Sequence, residues 1–256
     1  MKTIQCIAIA IILLFNVSHL QAYIVVFEHL GNTNPVSEGW NLNINSGGNI
    51  SVGPISESGI NAWKVYDTSA ALSTTGGYWR TPSQAQLTQA ALGWELKVTV
   101  RTFDPSTGYY PHTIYADFYD KNKDWQMYFW QDSANRQFVK LVTGLDITDP
   151  NNPKVLGPIF EVTNNPSAYH TYSLRFNPGD NKADLFVDGA LAISDYAGRT
   201  SSSPDAIVSW GAGASNATGK GHYSLVQFQV VPIPGAVWLL GSGLIGLLGL
   251  RRKFKK

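Results

Sequence analysis

The feature that most constrains this sequence is a succession of short runs in which apolar residues recur at alternate positions, with Gly, Pro, Asn and Asp between the runs. A period of two is typical of a strand with one buried face, and the intervening residue types form turns. Many short strands over residues 23–231, without a long linker or fixed repeat, predict one all-β domain, a β-sandwich or jelly roll. The predicted strands cover residues 23–28, 40–44, 62–67, 77–81, 94–103, 113–120, 125–132, 137–142, 169–176, 183–187, 191–194, 207–210 and 223–230.

One short helix is expected to interrupt the strands. Pro82 can occupy the first turn of a helix, residues 83–92 are good helix formers, and Gly93 can end the helix in the left-handed conformation. A helix of this length with few apolar positions is expected to lie on the rim of the sandwich. Those positions are Ala85, Leu87, Ala91 and Leu92.

Strand alternation also indicates a candidate binding surface. If residues 114, 116 and 118 of one strand and 125, 127 and 129 of the next face the core, their neighbours face outward together. Flat aromatic rings beside Asp, Gln and Arg side chains suit a sugar, which stacks its C–H faces on rings and hydrogen-bonds to planar polar groups. The alternative is ordinary cross-strand aromatic pairs or a covering loop. The predicted carbohydrate-binding residues are Tyr115, Asp117, Tyr119, Gln126, Tyr128, Trp130, Asp132 and Arg175.

The charge distribution argues against a nucleic-acid partner. The chain has 19 basic and 18 acidic residues, but six of the basic residues lie at the two ends, at Lys2 and after residue 250. The segment between them is therefore mildly acidic. Nucleic acids and anionic membrane surfaces are bound by clustered cations, and this segment offers no such cluster in its sequence.

The amino-terminal segment has the three regions of a secretory signal peptide. Lys2 precedes an apolar run over residues 4–17, and a short polar stretch ends at Ala22, where we expect cleavage. An uncleaved anchor is the alternative. The sole cysteine, Cys6, lies inside this segment, so the mature chain would contain neither a disulfide nor a reactive thiol.

The carboxyl-terminal segment has the length and composition of a membrane span. Residues 233–250 carry no charge and would extend about 27 Å as a helix, close to the thickness of the hydrocarbon layer. A basic cluster over residues 251–256 follows and is expected to stay in the cytoplasm. A buried core helix is the alternative, which the glycines and the terminal cations disfavour.

These tail residues resemble a known sorting signal. Val231-Pro232-Ile233-Pro234, the Gly/Leu-rich span and the end Arg251-Arg252-Lys253 are similar to the PEP-CTERM signal of Gram-negative bacteria, in its Val-Pro-Leu-Pro variant. The resemblance implies an exosortase-like membrane protease as partner, cutting near the Pro-x-Pro, and an association with exopolysaccharide. Ile233 stands where the motif has glutamate, so retention in the membrane stays open.

A second resemblance concerns the body of the chain. The segment from His170 to Phe176, a polar turn, and the segment from Ala183 to Asp188-Gly189 resemble the strand, turn and strand of concanavalin-A-like or laminin-G-like sandwiches. The turn residues predict an antiparallel meander over residues 169–194. The resemblance implies a jelly roll of two sheets, a frequent carbohydrate-binding or adhesive scaffold.

The sequence offers little for catalysis. A glycosidase needs two carboxylates facing the scissile bond, and laminarinase-type enzymes of the resembling architecture carry them on one strand. The five glutamates here are far apart, Asp117 and Asp120 fall on opposite faces of their strand, and Asp188 suits the turn after Asp184. We therefore predict a non-enzymatic protein. The alternatives are a glycosidase or lyase on the same scaffold, or a purely structural matrix component.

A calcium site is the one metal prediction. Asp146, Asp149 and Asn151 cluster hard oxygen ligands in one loop, although an Asx-rich turn is the favoured explanation for them. The histidines of the mature chain, His29, His112, His170 and His222, lack the spacing of metal ligands. No other cofactor is predicted, and the sequence leaves the oligomeric state open.

Overall fold

The computed structural model describes residues 23–45, 49–68, 75–103, 114–146, 154–165, 167–201, 203–213 and 218–231. Within these residues the chain forms eighteen strands, one α-helix, α1 (Gln84–Ala90), and one 3-10 helix (Pro35–Glu38). The strands are β1 (Ile24–His29), β2 (Asn41–Asn45), β3 (Ile50–Glu57), β4 (Ile60–Asp67), β5 (Thr75–Arg80), β6 (Trp94–Phe103), β7 (Ile114–Tyr119), β8 (Lys123–Gln131), β9 (Gln137–Leu141), β10 (Gly144–Asp146), β11 (Lys154–Leu156), β12 (Ile159–Val162), β13 (His170–Asn177), β14 (Lys182–Val187), β15 (Ala190–Tyr196), β16 (Arg199–Thr200), β17 (Ile207–Ala212) and β18 (Gly219–Val230).

The strands build two antiparallel sheets. The first sheet has the order β15-β14-β13-β6-β18-β4-β3, and β1 pairs with the half of β18 that β4 leaves open. The second sheet has the order β12-β9-β8-β7-β17-β5-β2, with β16 paired to the start of β8. Strands β10 and β11 form a separate hairpin. This arrangement confirms the predicted all-β antiparallel sandwich with one helix.

The core lies between the two sheets and is rich in aromatic rings. Trp94 of the first sheet packs edge-on against Phe118 and Trp125 of the second, with ring centroids 5.2 and 5.5 Å apart. All three side chains are at most 2% exposed. Such rings bury large apolar areas, which is the main stabilisation available to a chain without disulfides. Each sheet also has an outer face, which does not contribute to this core.

Each of the thirteen predicted strands overlaps an observed one, but β3, β10, β11, β12 and β16 were not expected. Strand β3 contains Gly53-Pro54, which reads as a turn in the sequence. Proline lacks an amide hydrogen and is tolerated in edge strands, and β3 is the edge of the first sheet.

Helix α1 is shorter than predicted. Ser83 is its N-cap and forms a capping box with Gln86, so Pro82 lies outside the helix. The C-cap of the helix is Ala91, in the right-handed conformation, so Gly93 is not the cap, although its φ of 134° is positive. Since β5 and β6 belong to different sheets, α1 crosses one end of the sandwich. Of the helical residues, Ala90 is buried, whereas Ala85 and the flanking Ala91 and Leu92 are exposed.

The predicted meander is confirmed, since β13, β14 and β15 pair in succession. Asp188 and Gly189 both have positive φ, at 50° and 83°, as a tight hairpin turn requires.

The two predicted addresses, residues 1–22 and 232–256, lie outside the described residues. Among the residues that are described, no helix has the length and hydrophobicity needed to cross a membrane.

Candidate functional site

The β7–β8 pair at the centre of the second sheet follows the predicted alternation. Its inward residues, all at most 1% exposed, are Ile114, Ala116, Phe118, Trp125, Met127 and Phe129. Its outward residues form the cross-strand pairs Tyr115 with Tyr128, Asp117 with Gln126 and Tyr119 with Asp124. The structure therefore brings most of the predicted carbohydrate-binding residues to one surface.

A cavity of about 650 Å³ opens on this outward surface, over β7, β17 and β5. We call it the aromatic cleft. Trp79 of β5 is 36% exposed and supplies the most accessible ring. It lies opposite Ser209 of β17, which in turn lies opposite Asp117 of β7. The lining side chains with hydrogen-bonding or ring-stacking groups include Asn43, Trp79, Tyr115, Tyr119, Asp205 and Ser209.

Two glycines shape the floor of the aromatic cleft. Gly211 lies between Gly77 and Tyr115 in the cross-strand register. With no side chain at either glycine, Tyr115 reaches across β17, and an added Cβ at Gly77 would lie 2.7 Å from the Tyr115 hydroxyl oxygen. The close approach of these strands therefore depends on glycine and positions the Tyr115 hydroxyl over β5.

Two aspartates lie beneath the tyrosines. Asp117 is 2% exposed and Asp124 is fully buried. Asp117 accepts hydrogen bonds from Ser209 Oγ and, at 3.4 Å, from Gln126 Nε2. Asp124 forms an ion pair with the guanidinium of Arg199, while its Oδ1 has no hydrogen-bond partner among the described residues.

Burial perturbs both carboxyls. Desolvation, followed by the nearby charge of Asp124, raises the pKa of Asp117 well above its usual value. Desolvation also raises the pKa of Asp124, to about 6, although Arg199 opposes the shift. Burial and the charges of Asp117 and Asp124 raise the pKa of Tyr119, so its hydroxyl stays protonated. The pair is therefore expected to hold a proton at mildly acidic pH.

Two further predicted residues lie on β8 or just after it. Trp130 stacks on Phe138 of β9, with centroids 5.0 Å apart and planes 14° apart, and does not line the cleft. Asp132 follows β8 and accepts hydrogen bonds from the amides of Ala134 and Arg136 and from the Arg136 side chain. The carboxylate of Asp132 thus serves the hairpin turn.

Arg175 does not belong to this surface. It lies on β13 in the first sheet, where its Nε donates to Glu95 at 3.0 Å and its guanidinium covers the ring of Phe186 at 4.3 Å. The sequence placed Arg175 on the outside of a strand correctly, but the strand belongs to the opposite sheet. Arg175 and Tyr115 therefore face away from each other across the sandwich.

The described residues give no metal centre. No group of three or more His, Cys, Asp or Glu side chains within them could hold an ion. Asp149 and Asn151 lie outside the described residues, and of Asp146 only the backbone is described, at the end of β10.

The described histidines lie apart from one another. His29 is buried beside Glu38 and stacks on Trp210, with centroids 4.9 Å apart. His170 lies beside Asp188 in the meander, 2.7 Å from its carboxylate. His222 lies on β18 and His112 is outside the described residues.

No protein-family profile matches this sequence, and neither does any curated protein. Among solved structures, the fold is similar to a glycoside hydrolase family 16 endo-glucanase from Bacteroides ovatus, with 11% identity over 80% of this chain and 100% of that chain and a TM-score of 0.44. It is similar to the kappa-carrageenase from Pseudoalteromonas carrageenovora, with 12% identity over 84% of this chain and 97% of that chain and a TM-score of 0.45. It is also similar to the carbohydrate recognition domain of Emp46p, with 15% identity over 78% of this chain and 93% of that chain and a TM-score of 0.44. Likenesses at these identities and TM-scores carry no conclusion about what this chain binds.

Proposed function

We propose that this chain is a non-enzymatic carbohydrate-binding protein and that the aromatic cleft holds the saccharide. The observation that carries this proposal is the ring of Trp79, 36% exposed, in a cavity of about 650 Å³ that also presents Tyr115 and Tyr119. Cavities of this size are typical of small-molecule sites. The Trp79 ring offers a surface for the C–H face of a sugar.

Polar groups around the ring suit the hydroxyls of a sugar. Asn43 can donate and accept, and Asp205 is an exposed carboxylate on the cleft wall. The hydroxyl hydrogen of Ser209 is donated to Asp117, so the Ser209 oxygen can only accept. None of these groups needs to ionise or transfer a proton in order to orient a sugar.

The burial of the carboxylate pair supports binding over hydrolysis. A glycosidase places two carboxyl groups on either side of the scissile bond, roughly 5–10 Å apart, where both contact the substrate. Asp117 and Asp124 are at most 2% exposed, so neither presents an oxygen to a polysaccharide in the cleft. Asp205 is the one exposed acid among the described residues that line the cleft, so it has no second carboxyl group to work with there.

The test compares two tryptophans of the same sheet. Purified full-length chain is run through gels containing individual polysaccharides, and retardation reports binding. Trp79→Ala should abolish retardation, whereas Trp130→Ala, outside the cleft, should preserve it. Both variants should melt within a few degrees of the wild type, since neither ring belongs to the fully buried core.

Loss of retardation in Trp130→Ala alone would move the site to the β8–β9 end of the surface. If neither substitution changes it, the site is not on this surface.

We also propose that the chain is exported and sorted. Support comes from the signal-peptide pattern before Ala22 and from the tail that resembles a PEP-CTERM signal, with Val231-Pro232 and Pro234 before the apolar span. In this proposal an exosortase-like protease processes the tail and delivers the domain to the cell surface or the extracellular polysaccharide. One tag inserted just after Ala22 and a second at the carboxyl end, followed in cells with and without that protease, test it, because processing of the tail should separate the tags only when the protease is present.

A further inference from the structure

The charged groups that line the aromatic cleft are of one sign. No lysine, arginine or histidine is among the described residues that line it, whereas Asp205 brings a carboxylate to its wall. Asp205 is exposed, and its backbone oxygen accepts a hydrogen bond from Ser203 Oγ at 3.0 Å. Its carboxylate forms no ion pair with any residue that the structure describes, so it is free to bind a cationic group of a ligand.

The rings of the cleft also favour a cation. Trp79 is 36% exposed, and Tyr115 and Tyr119 are partly exposed beside it. The face of an aromatic ring carries negative potential and attracts a cation that lies within about 6 Å of the ring centre. The same face stacks on the C–H groups of a sugar. A sugar that carries an ammonium group can therefore use the rings in both ways.

The carboxyl pair beneath the cleft extends negative potential to the tyrosines. Burial, and after it the charge of Asp117, raises the pKa of the Tyr115 hydroxyl. Burial and the charges of Asp117 and Asp124 raise the pKa of Tyr119 as well, although Arg199 opposes this shift. The potential that disfavours a negative charge on these hydroxyls stabilises a positive charge placed beside them.

Two basic residues on the same outward surface are bound elsewhere. Arg199 forms its ion pair with Asp124. Lys140 lies two strands from Tyr115, and its Nζ donates to the backbone oxygen of Val155 at 2.6 Å. A uronate or a sulfated sugar in the cleft would thus meet a carboxylate and no cation among the described lining residues.

We propose that the aromatic cleft selects a polysaccharide that contains amino sugars with a free, protonated amine. This inference rests on the proposed function and adds to it the chemical class of the ligand. Asp205 binds the ammonium group by a charge-assisted hydrogen bond, the C–H face of the sugar stacks on Trp79, and the rings of Tyr115 and Tyr119 add attraction for the cation. A neutral sugar has only the stacking and hydroxyl contacts, so it binds more weakly.

The test uses three hexasaccharides of one linkage that differ only at carbon 2 of each sugar: glucosamine, N-acetylglucosamine and glucose. Each is titrated calorimetrically into the full-length chain at about pH 6, where the sugar amine is largely protonated. The wild type should bind the glucosamine hexamer about tenfold or more tightly than the other two, because it alone supplies an ammonium group.

Two aspartate variants assign that preference to the cleft. Asp205→Asn should lower the affinity for the glucosamine hexamer to that for the glucose hexamer. Asp180→Asn is the matched control, since Asp180 is an exposed carboxylate in the turn between β13 and β14 and its removal changes the net charge equally. It should keep the tenfold preference. Thermal melts of both variants identify any loss of folding.

The outcomes separate this inference from the proposed function. Equal affinity of the wild type for the glucosamine and glucose hexamers would overturn the amino-sugar assignment and leave carbohydrate binding standing. So would a glucosamine hexamer that does not bind although a neutral polysaccharide retards the chain in gels. An unchanged preference in Asp205→Asn, or an equal loss in Asp180→Asn, would also overturn it, since both indicate general attraction of polycations. If no hexasaccharide binds and no polysaccharide retards the chain, the proposed function itself fails.

Discussion

Asp117 and Asp124 lie diagonally across the β7–β8 pair, both buried, and the charge of Asp124 raises the pKa of Asp117. Arg199 neutralises Asp124, whereas Asp117 has only neutral donors, Ser209 and Gln126. A second negative charge in this place is costly, so the folded state favours the protonated form of Asp117. The charge that this pair carries at the outward surface of the second sheet therefore depends on pH.

The first prediction concerns stability against pH. The folded pKa values are raised above the unfolded value of 3.8, so at pH 4–7 the folded chain holds protons that the unfolded chain has released. Stability is then lost as the pH rises; for Asp124, whose pKa rises from 3.8 to about 6, the loss corresponds to roughly 3 kcal/mol. We expect Asp117→Asn to flatten this part of the curve, as measured by urea unfolding from pH 4 to 8.

Asp205→Asn is the matched control for this experiment, because Asp205 is exposed and lies in the same cleft. Its unfolding free energy should follow the wild-type dependence on pH. If Asp117→Asn keeps the wild-type slope as well, the pair does not hold the proton assigned to it.

The second prediction concerns the ion pair between Arg199 and Asp124. Arg199→Ala leaves the buried Asp124 carboxylate without its cation, which costs about 3–5 kcal/mol when the acid is ionised. Because burial raises the pKa of Asp124 to about 6, the acid can accept a proton at pH 5 and avoid part of that cost. The loss of unfolding free energy should therefore be larger at pH 8 than at pH 5. Equal losses of unfolding free energy at pH 5 and pH 8 would contradict the protonation of Asp124 at the lower pH.

The third prediction concerns a hydroxyl that joins the two sheets. Tyr223 of β18 is buried, and the single hydrogen of its hydroxyl is shared between the carbonyl oxygens of Gly211 and Tyr115, which lie 2.8 and 2.9 Å from the hydroxyl oxygen. Tyr223→Phe keeps the ring but leaves both carbonyls without this donor, so we expect a loss of about 1–3 kcal/mol in urea unfolding. Tyr128→Phe, on the half-buried outward surface, should cost less. A Tyr223→Phe variant as stable as the wild type would show that the bridge contributes nothing.

The sequence predicted the sandwich and the orientation of β7 and β8 because alternation is a local property of the chain. Asp124 was missed since the predicted strand began one residue later, at Trp125, although Asp124 shares the parity of Gln126. Extending the strand by the same alternation would have placed it beside Asp117.

Other members of the site depend on pairing between distant segments, which alternation does not encode. Trp79 and Ser209 meet Asp117 only through the order β7-β17-β5, and Arg199 reaches Asp124 from the two-residue strand β16. Arg175 was predicted in the site but lies on the first sheet, because alternation gives the side of a strand that a residue faces but not the sheet that contains the strand.

The last prediction tests the glycine floor of the aromatic cleft. An added Cβ at Gly77 would lie 2.7 Å from the Tyr115 hydroxyl oxygen, so Gly77→Ala must displace that ring from the cleft wall. We expect neutral-glycan binding to fall by about tenfold or more, because displacing the ring removes a stacking or hydrogen-bonding contact with the sugar.

The fold should survive Gly77→Ala with a modest drop in melting temperature, because the clashing atom is the end of a side chain. Gly144→Ala is the matched control, as its new Cβ would meet only Leu156 Cδ1, at 4.0 Å, in the β10–β11 hairpin. Affinity electrophoresis and thermal melts of the two variants decide the outcome. Undiminished glycan retention in Gly77→Ala would mean that Tyr115 does not contact the sugar. The Trp79 ring would then have to hold the sugar without Tyr115.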